Sequence, residues 1–137
     1  MTLVIDASMA IAWLFQDERS QVPETVLLRV VEEGAVVPSL WKLEVANALQ
    51  TAVRRGRCED AYAVISLERL ERLRIAIDDR TDEHAWGRTR DLAIDYSLTL
   101  YDAAYLELAI RREAVLATRD SALVMAAKRA DLQVLYD

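Results

Sequence analysis

The sequence is short of the residues that staple, break or bend a chain. Its 137 residues include one cysteine, one histidine, two prolines and three glycines. A lone Cys58 excludes an internal disulfide and fits a reducing cytoplasm. A lone His84 excludes histidine-rich zinc sites. Serine–histidine or cysteine–histidine catalysis would rest on that one residue, in "TDEHAWGRTR", which reads as the exposed first turn of a helix. No apolar run approaches the ~20 residues that a membrane span requires. The opening "MTLVIDAS" has no basic segment and meets Asp6 early, unlike a signal peptide. The expectation is a cytoplasmic protein with no membrane association. Low-complexity segments, fixed-period repeats and linkers are missing too, so residues 1–137 read as one domain.

Hydrophobic residues make up 53% of the chain, enough for a substantial core. The formal net charge is −6, which argues against coating nucleic acid by bulk electrostatics. It does not argue against a nuclease, because carboxylates that hold a metal add to that total.

Apolar periodicity divides the chain into short strands and longer helices. Strands are expected at 2–5, 35–38, 74–77, 114–118 and 132–136. Helices are expected at 7–15, 22–34, 39–56, 58–73, 81–97, 102–113 and 120–130, with Ser39 as an N-cap and Gly34 and Gly56 as stops. Strands that alternate with helices and are apolar throughout indicate a mostly parallel sheet covered on both faces, an α/β/α sandwich of three layers. Right-handed crossovers then bring all strand carboxyl ends to one edge, where ligands bind in such sheets.

Four acids fall at or near that edge. Asp6 follows the first strand, and Asp120 follows the fourth after "Thr118-Arg119". Glu44 lies in the second turn of the helix after the second strand, and Asp102 opens the helix before the fourth. Asp6, Asp102 and Asp120 each have a simpler reading as helix N-caps. Glu44 does not; it shares a core-facing helix sector with Leu40, Leu43 and Asn47, where an unpaired carboxylate is costly, and this suggests a polar pocket. Gathering all four is costly, since two carboxylates at about 4 Å repel by roughly 4 kcal/mol at an effective dielectric of 20. A divalent cation reverses that cost, and an oxygen-only set suits Mg²⁺ or Mn²⁺. Ser8, Asn47 and Thr118 would supply neutral hydrogen bonds to the acids, to waters or to a phosphate. Arg119 is the basic residue nearest the site in sequence. Trp13 and Trp41 lie close to the same edge, where core or dimer packing competes with base stacking.

The blocks "VIDASMAIAWLF", "VPSLWKLEVANAL", "LTLYDAAYLELA" and "LATRDSALVMAA" resemble, in order and spacing, those of PIN-domain proteins, above all the VapC-type toxins of toxin–antitoxin pairs. The resemblance covers nearly the whole chain and maps the family's acidic quartet onto Asp6, Glu44, Asp102 and Asp120. It maps the hydroxyl near the last acid onto Thr118 and the polar residue after the Glu onto Asn47. It implies a magnesium-dependent endoribonuclease that cuts structured RNA such as tRNA or rRNA, a homodimer, and a VapB-type antitoxin whose tail enters the acidic groove. Family members often carry glycine where this chain has Ser97, Glu113 and Ala130-Asp131. Left-handed caps at these places would cost roughly 1–2 kcal/mol each.

Two other readings compete. A catalytically silent PIN scaffold would bind RNA or protein without cutting, although all four acids are present. A receiver-like domain would also cluster acids at a sheet edge. It would want a lysine at the end of a late strand, where "AVLATRD" offers only Arg119.

Overall fold

A computed structural model describes residues 1–137. Five parallel strands, β1 (Leu3–Ile5), β2 (Ala35–Val37), β3 (Ile75–Ile77), β4 (Val115–Ala117) and β5 (Val134–Leu135), form one sheet. Their spatial order is β3-β2-β1-β4-β5. The chain therefore winds outward from β1 on one side, then returns to β1's other edge at β4. The order reverses between β1 and β4, and their carboxyl ends form the switch point where this class of sheet opens a crevice.

Eight helices cover the sheet. α1 (Ala7–Leu14) and α2 (Gln21–Glu33), joined through a 3-10 turn at Gln16–Glu18, connect β1 to β2. α3 (Trp41–Arg54) and α4 (Asp60–Glu71) connect β2 to β3. α5 (Thr81–Ala85), α6 (Arg88–Tyr96) and α7 (Leu100–Arg111) lead to β4, and α8 (Ser121–Arg129) leads to β5. α1 packs on α2 and α3, and α3 on α4; α7 packs on α5, α6 and α8. Crossovers of one hand that run in opposite directions from β1 put these two groups on opposite faces, which gives the three layers. The core fills both sides of the central strands: Val4, Ile5, Leu116 and Ala117 are wholly inaccessible, and Met9, Val26, Leu106 and Leu123 pack around them. No helix is long and apolar enough to cross a membrane.

Several local expectations need correction. The helix expected over 81–97 is two helices, broken at Trp86-Gly87, where the Gly87 N–H bonds the His84 carbonyl. The α3 helix begins at Trp41, and Ser39 does not cap it; the Ser39 N–H instead donates to Thr81 Oγ1 at 3.1 Å. β3 is as apolar as the other strands but lies at the sheet's margin, so Ile77 is 41% exposed. The left-handed residues occur as expected: Ser97 (φ 54°), Glu113 (φ 49°) and Asp131 (φ 61°).

Candidate active site

Parallel strands fix the site. Ile5 pairs in register with Ala117, so the residues that follow, Asp6 and Thr118, emerge side by side. The Asp6 N–H completes the ladder to the Ala117 carbonyl at 3.2 Å. From there α1 and α8 start, and their first turns open toward the same crevice.

Asp6 is almost fully buried, and its carboxylate is held on three sides. Ser8 Oγ donates to Oδ1 at 2.7 Å, the Met9 N–H donates to Oδ1 at 3.1 Å, and Thr118 Oγ1 donates to Oδ2. The two hydroxyls are themselves oriented, because Ser8 Oγ accepts the Arg119 N–H and Thr118 Oγ1 accepts the Asp120 N–H, both at 3.0 Å. Asp120 is exposed and accepts the Leu123 N–H at 2.9 Å, capping α8. The capping reading of Asp6 and Asp120 is therefore correct, and it does not compete with a site. A cap in this fold points its remaining oxygen surface over the sheet edge.

Asp102 differs. The cap of α7 is Thr99, whose Oγ1 accepts the Asp102 N–H at 3.1 Å. Asp102 sits inside the first turn with its carboxylate free of capping duty. Glu44 stands in the first turn of α3, half-buried, on the flank of a buried face made by Trp41, Val45, Leu49 and Ala52. It does not point at the core as expected, and Leu43 and Asn47 beside it are exposed. Tyr105 Oη donates to Glu44 Oε1. Sequence reasoning missed Tyr105. Its signal was the i, i+3 spacing from Asp102, which puts both on one face of α7.

Asp6, Ser8, Glu44, Asp102, Tyr105 and Asp120, with Ala7, line one cavity of about 170 Å³. No cationic side chain lines it. The first turns of α1 and α8 donate N–H groups to Asp6 and Asp120 and offset part of the negative charge. The remainder shows in the titration of the acids. Burial raises Asp6 above the usual carboxylate range, against the lowering effect of its three hydrogen bonds, and Asp120 adds repulsion. Burial also raises Glu44, with Tyr105 opposing and Asp6 reinforcing the shift. Asp102 is raised to about 6 by burial first, then by Asp120, Asp6 and Glu44. Burial and the adjoining Glu44 push the Tyr105 phenol far up, so it serves only as a hydrogen-bond donor. No three of the acids stand close enough to grip one ion as arranged. The donor set itself, all oxygen and uncompensated, is of the type that takes Mg²⁺ or Mn²⁺.

Two expected members lie elsewhere. Asn47 is outside the acidic cavity, in an adjoining hollow with Leu40, Leu43, Glu44 and Tyr101. Arg119 is committed to other partners. Its Nε donates to Asp137 Oδ1 at 3.1 Å, and an Nη donates to the Glu18 carbonyl at 3.1 Å. Those bonds hold it outside the lining of the acidic cavity. Trp13 and Trp41 are buried, with Trp13 Nε1 bonded to the Pro23 carbonyl at 2.8 Å, so neither offers a stacking face.

The pattern of the PIN domain matches residues 3–129. The chain belongs to the PIN-domain family. The chain is 32% identical to Ribonuclease VapC3 of Pyrobaculum aerophilum over 123 residues, which is 90% of this chain and 92% of the relative. Among solved structures, PAE2754 of Pyrobaculum aerophilum superposes with a TM-score of 0.68 at 25% identity, covering 92% of this chain and 84% of that one. VapBC2 of Rickettsia felis, solved with a promoter DNA fragment, has the same fold at 14% identity, with a TM-score of 0.66 over 100% of this chain and 99% of that one. The acids of this site are supplied from both helical layers: Asp6 and Glu44 from one, Asp102 and Asp120 from the other.

Proposed function

We propose that this PIN-domain protein is a metal-dependent endoribonuclease that hydrolyses phosphodiester bonds and acts as the toxin of a toxin–antitoxin pair. The observation that carries the reading is the cavity of about 170 Å³ walled by four carboxylates and by no cation. Likeness to a VapC ribonuclease over nine-tenths of the chain supports the choice of RNA. Asp6, Glu44, Asp102 and Asp120 would hold Mg²⁺, with Mn²⁺ as a substitute. When bound, the ion would neutralise charge on the phosphodiester and lower the pKa of the attacking water.

The chain's own residues have separable tasks. Ser8 and Thr118 fix both oxygens of Asp6, so that this carboxylate cannot rotate as charge arrives. Tyr105 holds one oxygen of Glu44 and leaves the other for the cavity. Asp102, relieved of capping by Thr99, is free to turn inward. The cavity, about 170 Å³, has room for a partly hydrated ion and a phosphate group.

The associated biology belongs to the same proposal: a homodimer in the cytoplasm, restrained by a VapB-type antitoxin, with structured RNA such as tRNA or rRNA as target. A silent scaffold is favoured only by the open spacing of the acids. The two readings separate in one experiment. A mixed RNA pool is expected to be cut in Mg²⁺ and spared in EDTA, with Asp102→Asn slowing cleavage by about a thousandfold while circular dichroism is unchanged. Full activity in that variant overturns the nuclease assignment. Absence of cleavage, together with no Mg²⁺ binding by calorimetry, establishes the scaffold.

A further inference from the structure

The acidic cavity is walled by carboxylates and suits a cation, and an RNA chain must place its bases somewhere beside it. The hollow next to it has the matching chemistry. It measures about 320 Å³ and is lined by Leu40, Leu43, Glu44, Asn47 and Tyr101. Glu44 lines both cavities, so the two adjoin on either side of one side chain. Tyr101, in the first turn of α7, lines this hollow together with Glu44, the acid that also lines the acidic cavity. Tyr101 is 64% exposed and Leu43 75% exposed, both large side chains standing in water on the rim of the hollow. No lysine or arginine lines the hollow, and its one charged group is a carboxylate. A phosphate would be repelled there. An uncharged flat ring would be accepted, with the phenol ring for stacking, the leucines as apolar floor and an amide that both donates and accepts.

We propose that Tyr101, Leu40, Leu43 and Asn47 form a subsite for a single unpaired base of the RNA, next to the phosphate that is cut. The proposal rests on the nuclease reading and adds to it which part of the substrate is recognised, and how. Tyr101 supplies the stacking face, a role that buried Trp13 and Trp41 cannot play. Asn47 hydrogen-bonds the base edge. A base in a duplex is stacked and paired on both sides and cannot enter, so the subsite selects loops and single strands.

The test is equilibrium binding of a fluorescein-labelled single-stranded RNA hexamer to the full chain, read by anisotropy in Ca²⁺, alongside sedimentation velocity. Tyr101→Ala is expected to weaken binding about 5- to 100-fold, the range for loss of one stacked base. Tyr101→Phe keeps the ring and is expected to stay within about twofold of the parent. Removing bases from the hexamer should abolish the difference between parent and Tyr101→Ala. Equal binding by parent and Tyr101→Ala overturns the subsite. So does a lowered sedimentation coefficient in Tyr101→Ala, which would make this rim a contact between two copies of the chain. Failure of the nuclease reading looks different: the hexamer binds, Tyr101→Ala weakens it, and no RNA is cut in Mg²⁺.

Discussion

The protein contains two clusters of acids, and they are built on opposite principles. In the first, Asp6, Glu44, Asp102 and Asp120 face one cavity without a cationic partner. In the second, Asp78 and Glu107 share Arg111. The guanidinium of Arg111 donates to both Asp78 oxygens at 3.0 and 2.7 Å and to both Glu107 oxygens at 2.7 and 3.0 Å. Thr81 Oγ1 adds a bond to Asp78 at 3.0 Å. α7 contributes to both, with Asp102 in its first turn and Glu107 and Arg111 near its end. Asp78 is held below the usual carboxylate range, first by its hydrogen bonds to Arg111, while Asp102 is raised to about 6. The same residue type on neighbouring elements thus carries opposite shifts. The fold satisfies acids that serve structure and leaves uncompensated those that face the cavity. Such a difference supports reading the cavity as a site rather than as part of a negatively charged surface.

The largest expected effect comes from breaking the satisfied cluster. Arg111→Met leaves buried Asp78 and Glu107 facing each other with no cation. It should cost about 3–5 kcal/mol in urea unfolding, as for removal of one partner from a buried ion network. Because the folded-state pKa of Asp78 is lowered, its contribution is full above the unfolded value of 3.8 and fades as pH falls through the folded one. A loss under 1 kcal/mol would mean that the network is worth no more than a surface pair.

The cavity acids should behave in the reverse sense. Asp102 has a raised folded-state pKa, so its charge costs stability, and that cost grows between pH 3.8 and about 6. Asp102→Asn is therefore expected to stabilise the metal-free protein above pH 6. The gain is about 1 kcal/mol once solvent screening of a half-exposed group is allowed for, and it vanishes below pH 4. In the parent, Mg²⁺ at a hundredfold excess over its dissociation constant should add about 2.7 kcal/mol, and in Asp102→Asn much less. Thermal melts with and without Mg²⁺ at pH 4 and pH 7 read both. Stability of the parent that does not respond to Mg²⁺ at any concentration would remove the ion from the account.

How far the sequence reveals these clusters depends on where each residue gets its position. Asp6 and Asp120 were legible because a parallel sheet places any residue just after a strand at one edge. Glu44 was legible as an anomaly on an amphipathic helix, but its direction was misjudged. The buried face of α3 runs through Trp41, Val45 and Leu49, and that leaves Glu44 on its flank and Asn47 in solvent. The simpler reading of Asp102 as a cap fails, since Thr99, three residues earlier, takes that role. The pairing of Tyr105 with Glu44 and of Arg111 with Asp78 was not legible, because each contact joins elements distant in sequence. The break at Trp86-Gly87 was missed because one apolar period runs through both halves, and only the glycine marks the change of axis.

The left-handed caps supply the smallest effect and the control that the comparison needs. Ser97 closes α6 at φ 54° and ψ 46°, with its N–H directed at the Ala93 and Ile94 carbonyls. A side chain in this region strains against the following carbonyl by roughly 1–2 kcal/mol. Glycine removes that strain and returns part of the gain as extra freedom of the unfolded chain, about 0.4–1 kcal/mol. Ser97→Gly should therefore stabilise by about 0.5–1 kcal/mol. The substitution changes no charge and touches neither acid cluster. Its gain must then be the same at pH 4 and pH 7, and the same with or without Mg²⁺. If it instead tracks pH as Asp102→Asn does, the pH dependence assigned to the cavity belongs to the whole fold, and the contrast between the two clusters fails.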